Sequence, residues 1–193
     1  MTERVGIFSG SFNPIHAGHL ILANYLCEFT DLDKVWFVVS PHNPHKDPGE
    51  LLDDDLRMEM VRLALEEFDQ MEASDVEFHM ARPSYTIDTL VKLTDEYSDK
   101  EFTLIIGGDN WRKFRHWKES EKLISNYRLF VYPRLGEEVV IPEHLHSSVQ
   151  LIKAPIVEIS STFIRESIRE GRDMRGFLPL KVYDFIVQNK LYR

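Results

Sequence analysis

Two histidines stand three residues apart where a strand pattern gives way to a helix pattern. His16 and His19 follow the apolar run 5–8 and the turn residues 9–14, and a helical pattern opens at Ala17. Residues three apart on a helix share a face, so both imidazoles are expected to project to one side. A strand-to-helix turn presents backbone N–H groups and a positive helix end, which bind phosphate. This placement predicts a site for charge on a phosphoryl oxygen and disfavours the alternatives, a metal-binding pair or two surface histidines.

Small residues around the histidines would bring a ligand close to the backbone. Gly10 and the turn Asn13-Pro14 allow a close approach, and Gly18 leaves room for a bulky group against the helix.

A second polar cluster lies near the other end of the chain, at the predicted start of a helix. Ser160, Ser161 and Thr162 can cap this helix and donate hydroxyl hydrogen bonds. Arg165 follows about one turn later, and its fixed fork of donors suits a pyrophosphate group. The alternative is an ordinary helix cap followed by a solvent-facing arginine.

Strand and helix patterns alternate along the whole chain, which predicts one domain, residues 1–193. We expect a Rossmann-like, doubly wound α/β fold, with a mainly parallel sheet and helices on both faces. In such sheets ligands bind beyond the carboxyl ends of the strands. The predicted strands are 4–8, 34–39, 76–79, 101–106, 127–132 and 149–152, and the predicted helices begin near 17, 53, 86, 111, 161 and 179.

The composition excludes several classes of function. The 193 residues include 23 Lys and Arg against 32 Asp and Glu, a net charge of -9 that disfavours nucleic-acid binding. Charges interrupt each apolar run short of the ~18 residues of a membrane span, and no signal peptide is recognisable. The single cysteine, Cys27, cannot form an internal disulfide. We therefore expect a cytoplasmic protein with neither membrane nor nucleic-acid partners; its oligomeric state is left open.

The two polar clusters resemble the two motifs of a known superfamily. Residues 10–19 resemble the G-x-F-x-P-x-H-x-G-H signature of the nucleotidyltransferases, which join a nucleotide to a phosphate or carboxylate acceptor. Residues 159–165 are similar to their I-S-S-T-x-I-R motif, about 140 residues later and in the expected order. In many members two glycines and a threonine stand where this chain has Ser9-Gly10-Ser11, a change that keeps the backbone donors.

Segments between these motifs resemble the bacterial nicotinate-nucleotide adenylyltransferase branch, so that the resemblance extends from Val5 to Gln188. Arg134 and Gly136 are similar to an R-P-G motif in which Leu135 replaces the proline. The other similar segments are Pro44-His45-Lys46, Arg57 with Met60, Tyr85 to Leu90, and Gly107 with Asp109, Phe114 and Trp117.

The resemblance implies that the adenylyl group of ATP passes to the 5′-phosphate of nicotinate mononucleotide, giving deamido-NAD and pyrophosphate. It implies catalytic roles for His16, His19, Lys46 and Arg165, with His19 nearest the α-phosphate. The implied ATP contacts are Ser9, Gly10, Ser11, Phe12, His16, His19, Gly107, Asp109, Ser161, Thr162 and Arg165. The implied acceptor contacts are Lys46, Tyr85, Thr86, Trp117 and Arg134. Mg²⁺ would arrive with ATP, with no metal site built by the protein.

Other interpretations remain at this stage. Another adenylyltransferase would take pantetheine phosphate or nicotinamide mononucleotide as acceptor, and a nucleotide-sensing domain would keep the pocket without the chemistry. Arg134 could serve only as a surface ion-pair partner, and Trp117 only as a core residue. We interpret Asp53-Asp54-Asp55 as a helix start. A transition-metal site at His42, His45 and His16 is disfavoured because no usual zinc spacing is present.

Overall fold

Six parallel strands form one sheet in the order β3-β2-β1-β4-β5-β6. The computed structural model describes residues 2–41, 51–136 and 138–193. The strands are β1 (Glu3–Gly10), β2 (Lys34–Val39), β3 (Met71–Ser74), β4 (Lys100–Gly107), β5 (Arg128–Tyr132) and β6 (Val149–Leu151).

Helices cover both faces of this sheet, which confirms the predicted doubly wound architecture. Buried residues of α1, α2, α6 and α7 pack on one face, and those of α3 and α5 pack on the other. No helix within the described ranges is long and apolar enough to cross a membrane. The helices are α1 (Ala17–Phe29), α2 (Asp54–Leu65), α3 (Thr86–Glu96), α4 (Gly108–Lys113), α5 (Ser120–Asn126), α6 (Ser161–Arg169) and α7 (Leu180–Gln188).

The nearly continuous apolar runs of the central strands follow from this two-sided cover. In β2, Phe37 faces the cluster under α1 and α2, whereas Trp36 and Val38 face the cluster under α3. Successive side chains of a strand point to opposite faces, so a strand covered on both sides needs apolar residues at every position.

Two predicted elements were wrong. Residues 76–79 form a 3-10 turn, not a strand, and the edge strand β3 lies just before them. The single helix predicted for 111–126 is divided into α4, a 3-10 turn at 114–116 and α5, and the left-handed conformation of Glu119 (φ 51°) makes the break before α5.

The starts of two helices lie where the sequence predicts them. Asp53 caps α2, its carboxylate accepting a hydrogen bond from the N–H of Asp55 at 3.0 Å. Ser160 caps α6 in the same way, accepting from the N–H of Phe163 at 3.1 Å. Both predictions are confirmed, and both reflect the need of a helix end for acceptors.

The strand order places a ligand-binding crevice between β1 and β4. These two strands are neighbours, but the chain leaves β1 towards β2 on one side and leaves β4 towards β5 on the other. Loops that follow the two strands therefore diverge and open a gap at the carboxyl edge. The turn before α1 and the Gly107-Gly108 turn before α4 border this gap.

Candidate active site

The imidazoles of His16 and His19 lie stacked against one another at the start of α1. Their ring centroids are 3.7 Å apart and the planes differ by 26°. This confirms that the two side chains project to one side of the helix. His16 is buried, at 5% exposure, and His19 is half-buried, so His19 is the more accessible of the two.

Hydrogen bonding fixes which nitrogen of His19 carries the proton. The N–H of His16 donates to Nδ1 of His19 at 3.2 Å. An imidazole nitrogen that accepts has no proton, so the neutral ring is protonated at Nε2. The Nε2–H group is therefore the donor that His19 can offer to a phosphoryl oxygen.

His16 is neutral at physiological pH. Burial, together with a smaller effect of the positive charge of Arg134, lowers its pKa from 6.5 to about 4. Burial favours the uncharged imidazole because a charged ring would lose its hydration. The pair thus avoids the repulsion that two stacked imidazolium rings would suffer.

Neighbouring residues hold the rings in place. A methyl group at Gly18 would lie 3.1 Å from Nδ1 of His16, so the room left by this glycine is occupied by the His16 ring itself. Phe12, with a φ of 43°, is buried beneath the pair and meets His19 edge to face, with ring centroids 5.1 Å apart. Its ring supports His19 and is turned away from solvent, so the predicted ATP contact of Phe12 could be made only by its backbone.

Residues 11–16, which we call the histidine loop, are held by side chains from distant parts of the chain. Arg165 donates from Nη1 to the carbonyl of Asn13 at 3.0 Å, and Ser161 donates to the carbonyl of Pro14 at 2.9 Å. Arg57, fully buried, donates to the carbonyl of Ser11 at 2.6 Å. Tyr192 donates to the side-chain carbonyl of Asn13 at 2.9 Å. The contacts of Arg165 and Ser161 bring the two sequence motifs together.

The second motif is therefore part of the site, and its arginine is not a surface residue. Arg165 is 6% exposed and also donates to Oγ1 of Thr162 at 3.4 Å. The interpretation of α6 as a plain helix cap followed by a solvent-facing arginine is wrong.

The start of α1 offers fewer N–H groups to an anion than its position suggests. The N–H of Ala17 donates to the carbonyl of Phe177, and that of His19 donates to the carbonyl of His16, both at 2.9 Å.

A second group of predicted residues meets at the end of β4. Nε of Arg134 lies 3.2 Å from a carboxylate oxygen of Asp109, and its Nη2 donates to the hydroxyl of Tyr132 at 3.2 Å. A Cβ atom at Gly107 would lie 2.4 Å from Oδ1 of Asp109, so a side chain here would displace this carboxylate. The positive charge of Arg134 contributes to the lowered pKa of His16. The structure places Arg134 beside residues that we predict to bind ATP.

Of the residues predicted to bind the acceptor, Tyr85 is contacted by a lysine that the sequence did not single out. Lys118 lies 4.7 Å above the ring of Tyr85 and forms an ion pair with Asp88 at 2.8 Å. It follows Trp117, whose half-buried ring packs on Phe114 at 5.3 Å. Tyr85 is the residue before α3 and Thr86 its first residue. We call residues 84–89 the acceptor segment.

Some predicted residues are not placed. Lys46, His42 and His45 lie outside the described residues. Among the described residues no group of three His, Cys, Asp or Glu could hold a metal ion. Cys27 is buried in the core, and its burial raises the thiol pKa to about 11, which makes it an unreactive thiol at neutral pH.

Glu77 is the clearest functional candidate that the sequence analysis missed. Its buried carboxylate accepts hydrogen bonds from Ser40 at 2.9 Å, Ser84 at 3.0 Å and Thr89 at 3.0 Å, with Ser9 at 3.5 Å. The sequence singles out Arg57 only within a segment that resembles the family, and it gives no signal for Tyr192. No local pattern marks these residues because their partners are remote in sequence.

Comparisons with known proteins show the family to which the chain belongs. Residues 7–167 match the cytidylyltransferase-like family. A protein of Bacteroides fragilis named "probable nicotinate-nucleotide adenylyltransferase" is 54% identical over 185 residues, which are 96% of this chain and 92% of that one. A protein of the same name from Bacteroides thetaiotaomicron is 52% identical over 95% of this chain and 90% of its own length. The chain belongs to the nicotinate-nucleotide adenylyltransferase family. It is thus a nucleotidyltransferase.

The fold of this family member is also that of a solved relative. The nicotinic acid mononucleotide adenylyltransferase of Plasmodium falciparum, in a complex with NaAD, superposes with a TM-score of 0.80. The alignment covers 98% of this chain and 97% of that one at 19% identity, which supports the fold alone.

Proposed function

We propose that this enzyme transfers the adenylyl group of ATP to nicotinate mononucleotide, forming deamido-NAD and pyrophosphate in NAD biosynthesis. The observation that carries the proposal is the stacked pair His16–His19 joined to α6 through the histidine loop. This arrangement fixes the two imidazoles beside α6 at the crevice beyond β1, where a triphosphate would bind.

The reaction needs alignment and charge stabilisation, not a protein nucleophile. An oxygen of the acceptor 5′-phosphate attacks the α-phosphorus of ATP, and the bond from that phosphorus to the bridging oxygen of pyrophosphate breaks. Negative charge then builds on the phosphoryl oxygens. Donors fixed before the reaction stabilise this charge at little reorganisation cost.

The ATP side of the site consists of residues at the carboxyl ends of β1 and β4 and in the first turns of α6. His19 donates from Nε2–H to an oxygen of the α-phosphate, and neutral His16 holds it in position. Asp109 accepts from a ribose hydroxyl. The backbone of residues 9–12 and of Gly107, together with Ser161, Thr162 and Arg165, contacts the nucleotide and its β- and γ-phosphates.

The acceptor side lies towards α3. We propose that Trp117 stacks on the pyridine ring and that the backbone at Tyr85 and Thr86 donates to the nicotinate carboxylate. Lys118, which contacts both the ring of Tyr85 and the carboxylate of Asp88, supports the start of α3 on this side. Lys46 and Arg134 are proposed to contact the acceptor phosphate.

We propose that Mg²⁺ enters with ATP. The groups assembled around the histidine loop are mainly imidazoles, hydroxyls and guanidinium groups, and a hard cation prefers carboxylate, phosphate and water oxygens. Phosphate oxygens and water would supply most ligands of the ion, which neutralises charge on the leaving pyrophosphate. We place the reaction in the cytoplasm, in keeping with the single buried cysteine.

The test of this function is a direct assay. Purified protein, ATP and Mg²⁺ are combined with either nicotinate or nicotinamide mononucleotide, and pyrophosphate and dinucleotide product are followed. We expect strong preference for the nicotinate form. Equal use of both would contradict the proposed acceptor pocket, and ATP binding without product from either would contradict the reaction.

Removal of one imidazole tests the role of His19. The variant His19→Ala should lose roughly two to four orders of magnitude in kcat while remaining folded, because the donor to the α-phosphate is gone. His116→Ala, which removes an exposed histidine from the turn after α4, is the control. Near-normal turnover by His19→Ala would remove His19 from the mechanism.

A further inference from the structure

Glu77 is a buried carboxylate that the proposed mechanism does not use. It lies in the 3-10 turn 76–79 and is 4% exposed. Four hydroxyl groups surround its two oxygens: Ser40 and Ser84 on Oε2, and Thr89 and Ser9 on Oε1. An ionised carboxylate can only accept hydrogen bonds, which suits a site where several donors converge.

The four hydroxyls come from both sides of the proposed site. Ser9 stands near the end of β1, and Ser40 directly follows β2; their hydroxyls lie 3.2 Å apart. Ser84 and Thr89 belong to the acceptor segment. The carboxylate therefore bridges the carboxyl edge of two central strands and the segment proposed to hold nicotinate.

The contact with Thr89 reaches the backbone that would face the acceptor. The same Thr89 hydroxyl that donates to Glu77 lies 3.2 Å from the carbonyl of Tyr85, and the N–H of Thr89 donates to that carbonyl at 3.1 Å. Ser84, the residue before Tyr85, is bound directly to the carboxylate. Glu77 thus fixes the turn that opens α3 at two points.

We propose that Glu77 is a positioning residue that sets the acceptor segment against the ends of β1 and β2 and thereby determines acceptor affinity. The inference rests on the proposed function, since residues 84–89 hold an acceptor only if nicotinate mononucleotide binds there. Its contacts to the acceptor segment are shorter than its contact to Ser9, so its loss acts on the acceptor more than on ATP.

The test separates the two substrates kinetically. In Glu77→Gln, one acceptor oxygen becomes an NH₂ group that can only donate, while size and shape are kept. We expect the KM for nicotinate mononucleotide to rise about tenfold and the KM for ATP to stay within about threefold. Equal increases in both, or an acceptor KM within about twofold of the wild type, would overturn the proposal.

A double-mutant cycle gives a second readout. Ser84→Ala should raise the acceptor KM in the same direction, and it should add little in the Glu77→Gln background because its partner is already altered. Ser125→Ala, whose hydroxyl bonds only a helix carbonyl of α5, is the control. Additive effects would contradict the proposed link.

Failure of the proposed function and failure of this inference give different results. A wild type inactive with nicotinate mononucleotide would contradict the proposed function, whereas an active wild type with an unaffected Glu77→Gln variant would contradict this inference alone. Thermal unfolding of each variant checks folding. If Glu77→Gln does not fold, the acceptor KM of Ser84→Ala decides the question.

Discussion

At the scale of single residues, the neutral state of His16 couples the site to pH. Burial lowers its folded-state pKa from 6.5 to about 4. The unfolded chain therefore binds a proton between these values when the folded chain does not. The stabilising contribution is complete above pH 6.5, falls as the pH drops towards 4, and changes no further below 4.

This coupling predicts a measurable difference between pH 7.5 and pH 5. The wild type should lose about 2 kcal/mol more free energy of unfolding than His16→Gln over this interval. Urea unfolding at both pH values measures it. His116→Gln, which removes an exposed imidazole, serves as control and should keep the wild-type pH dependence. Equal slopes for the wild type and His16→Gln would show that His16 titrates in the folded protein as it does in the unfolded chain.

The sequence predicted the histidine pair because its signal is local. Spacing and position relative to a strand are enough to place His16 and His19 on one side of a helix. Glu77 gives no such signal, because its meaning depends on Ser9, Ser40 and Ser84, which the chain brings together only after folding. Its segment was also assigned to the wrong kind of element.

At the scale of elements, the first turn of α1 is shaped by Gly18. Alanine is favoured over glycine within a helix by about 1 kcal/mol, yet a methyl group here would press on the His16 ring at 3.1 Å. We expect Gly18→Ala to keep stability within about 1 kcal/mol and to lower kcat about tenfold, because the ring must shift.

Steady-state kinetics and urea unfolding of Gly18→Ala check this expectation. Gly176→Ala, where an added methyl group meets no atom within 4 Å, is the matched control. Unchanged turnover in Gly18→Ala would show that the ring can move without cost to the reaction.

The two misassigned elements have physical causes. The alternation Val76, Glu77, Phe78 has the apolar–polar pattern of a strand. The N–H of Phe78 instead donates to the carbonyl of Asp75, and the carboxylate of Glu77 accepts a hydrogen bond from the acceptor segment. The true edge strand β3 has one fully buried residue, Met71, and so gives little pattern. The break before α5 occurs at Glu119, where no glycine or proline marks it.

At the scale of the whole molecule, Arg57 joins three segments at the carboxyl edge of the sheet. Its guanidinium group donates to the carbonyls of Ser11, Ser40 and Leu52, at 2.6, 2.8 and 3.0 Å, and it forms an ion pair with Asp54. A planar fork can serve these separate acceptors, whereas a lysine ammonium cannot reach them all.

Arg57→Lys should therefore lower the free energy of unfolding by about 3 kcal/mol, because buried carbonyls lose their donors. The exposed neighbour Arg62 in the same helix provides the control: Arg62→Lys should change stability by less than about 0.5 kcal/mol. Urea unfolding compares the two. Similar losses of unfolding free energy in both variants would mean that α2 is sensitive to any Arg→Lys substitution and that the guanidinium contacts of Arg57 are not the cause.

The bond between Arg165 and the carbonyl of Asn13 spans 152 residues of chain. During translation the ribosome makes the histidine loop early and α6 late, so a nascent chain carries both imidazoles long before the guanidinium group that fixes them. Incomplete chains would therefore carry a loosely ordered loop and bind ATP weakly.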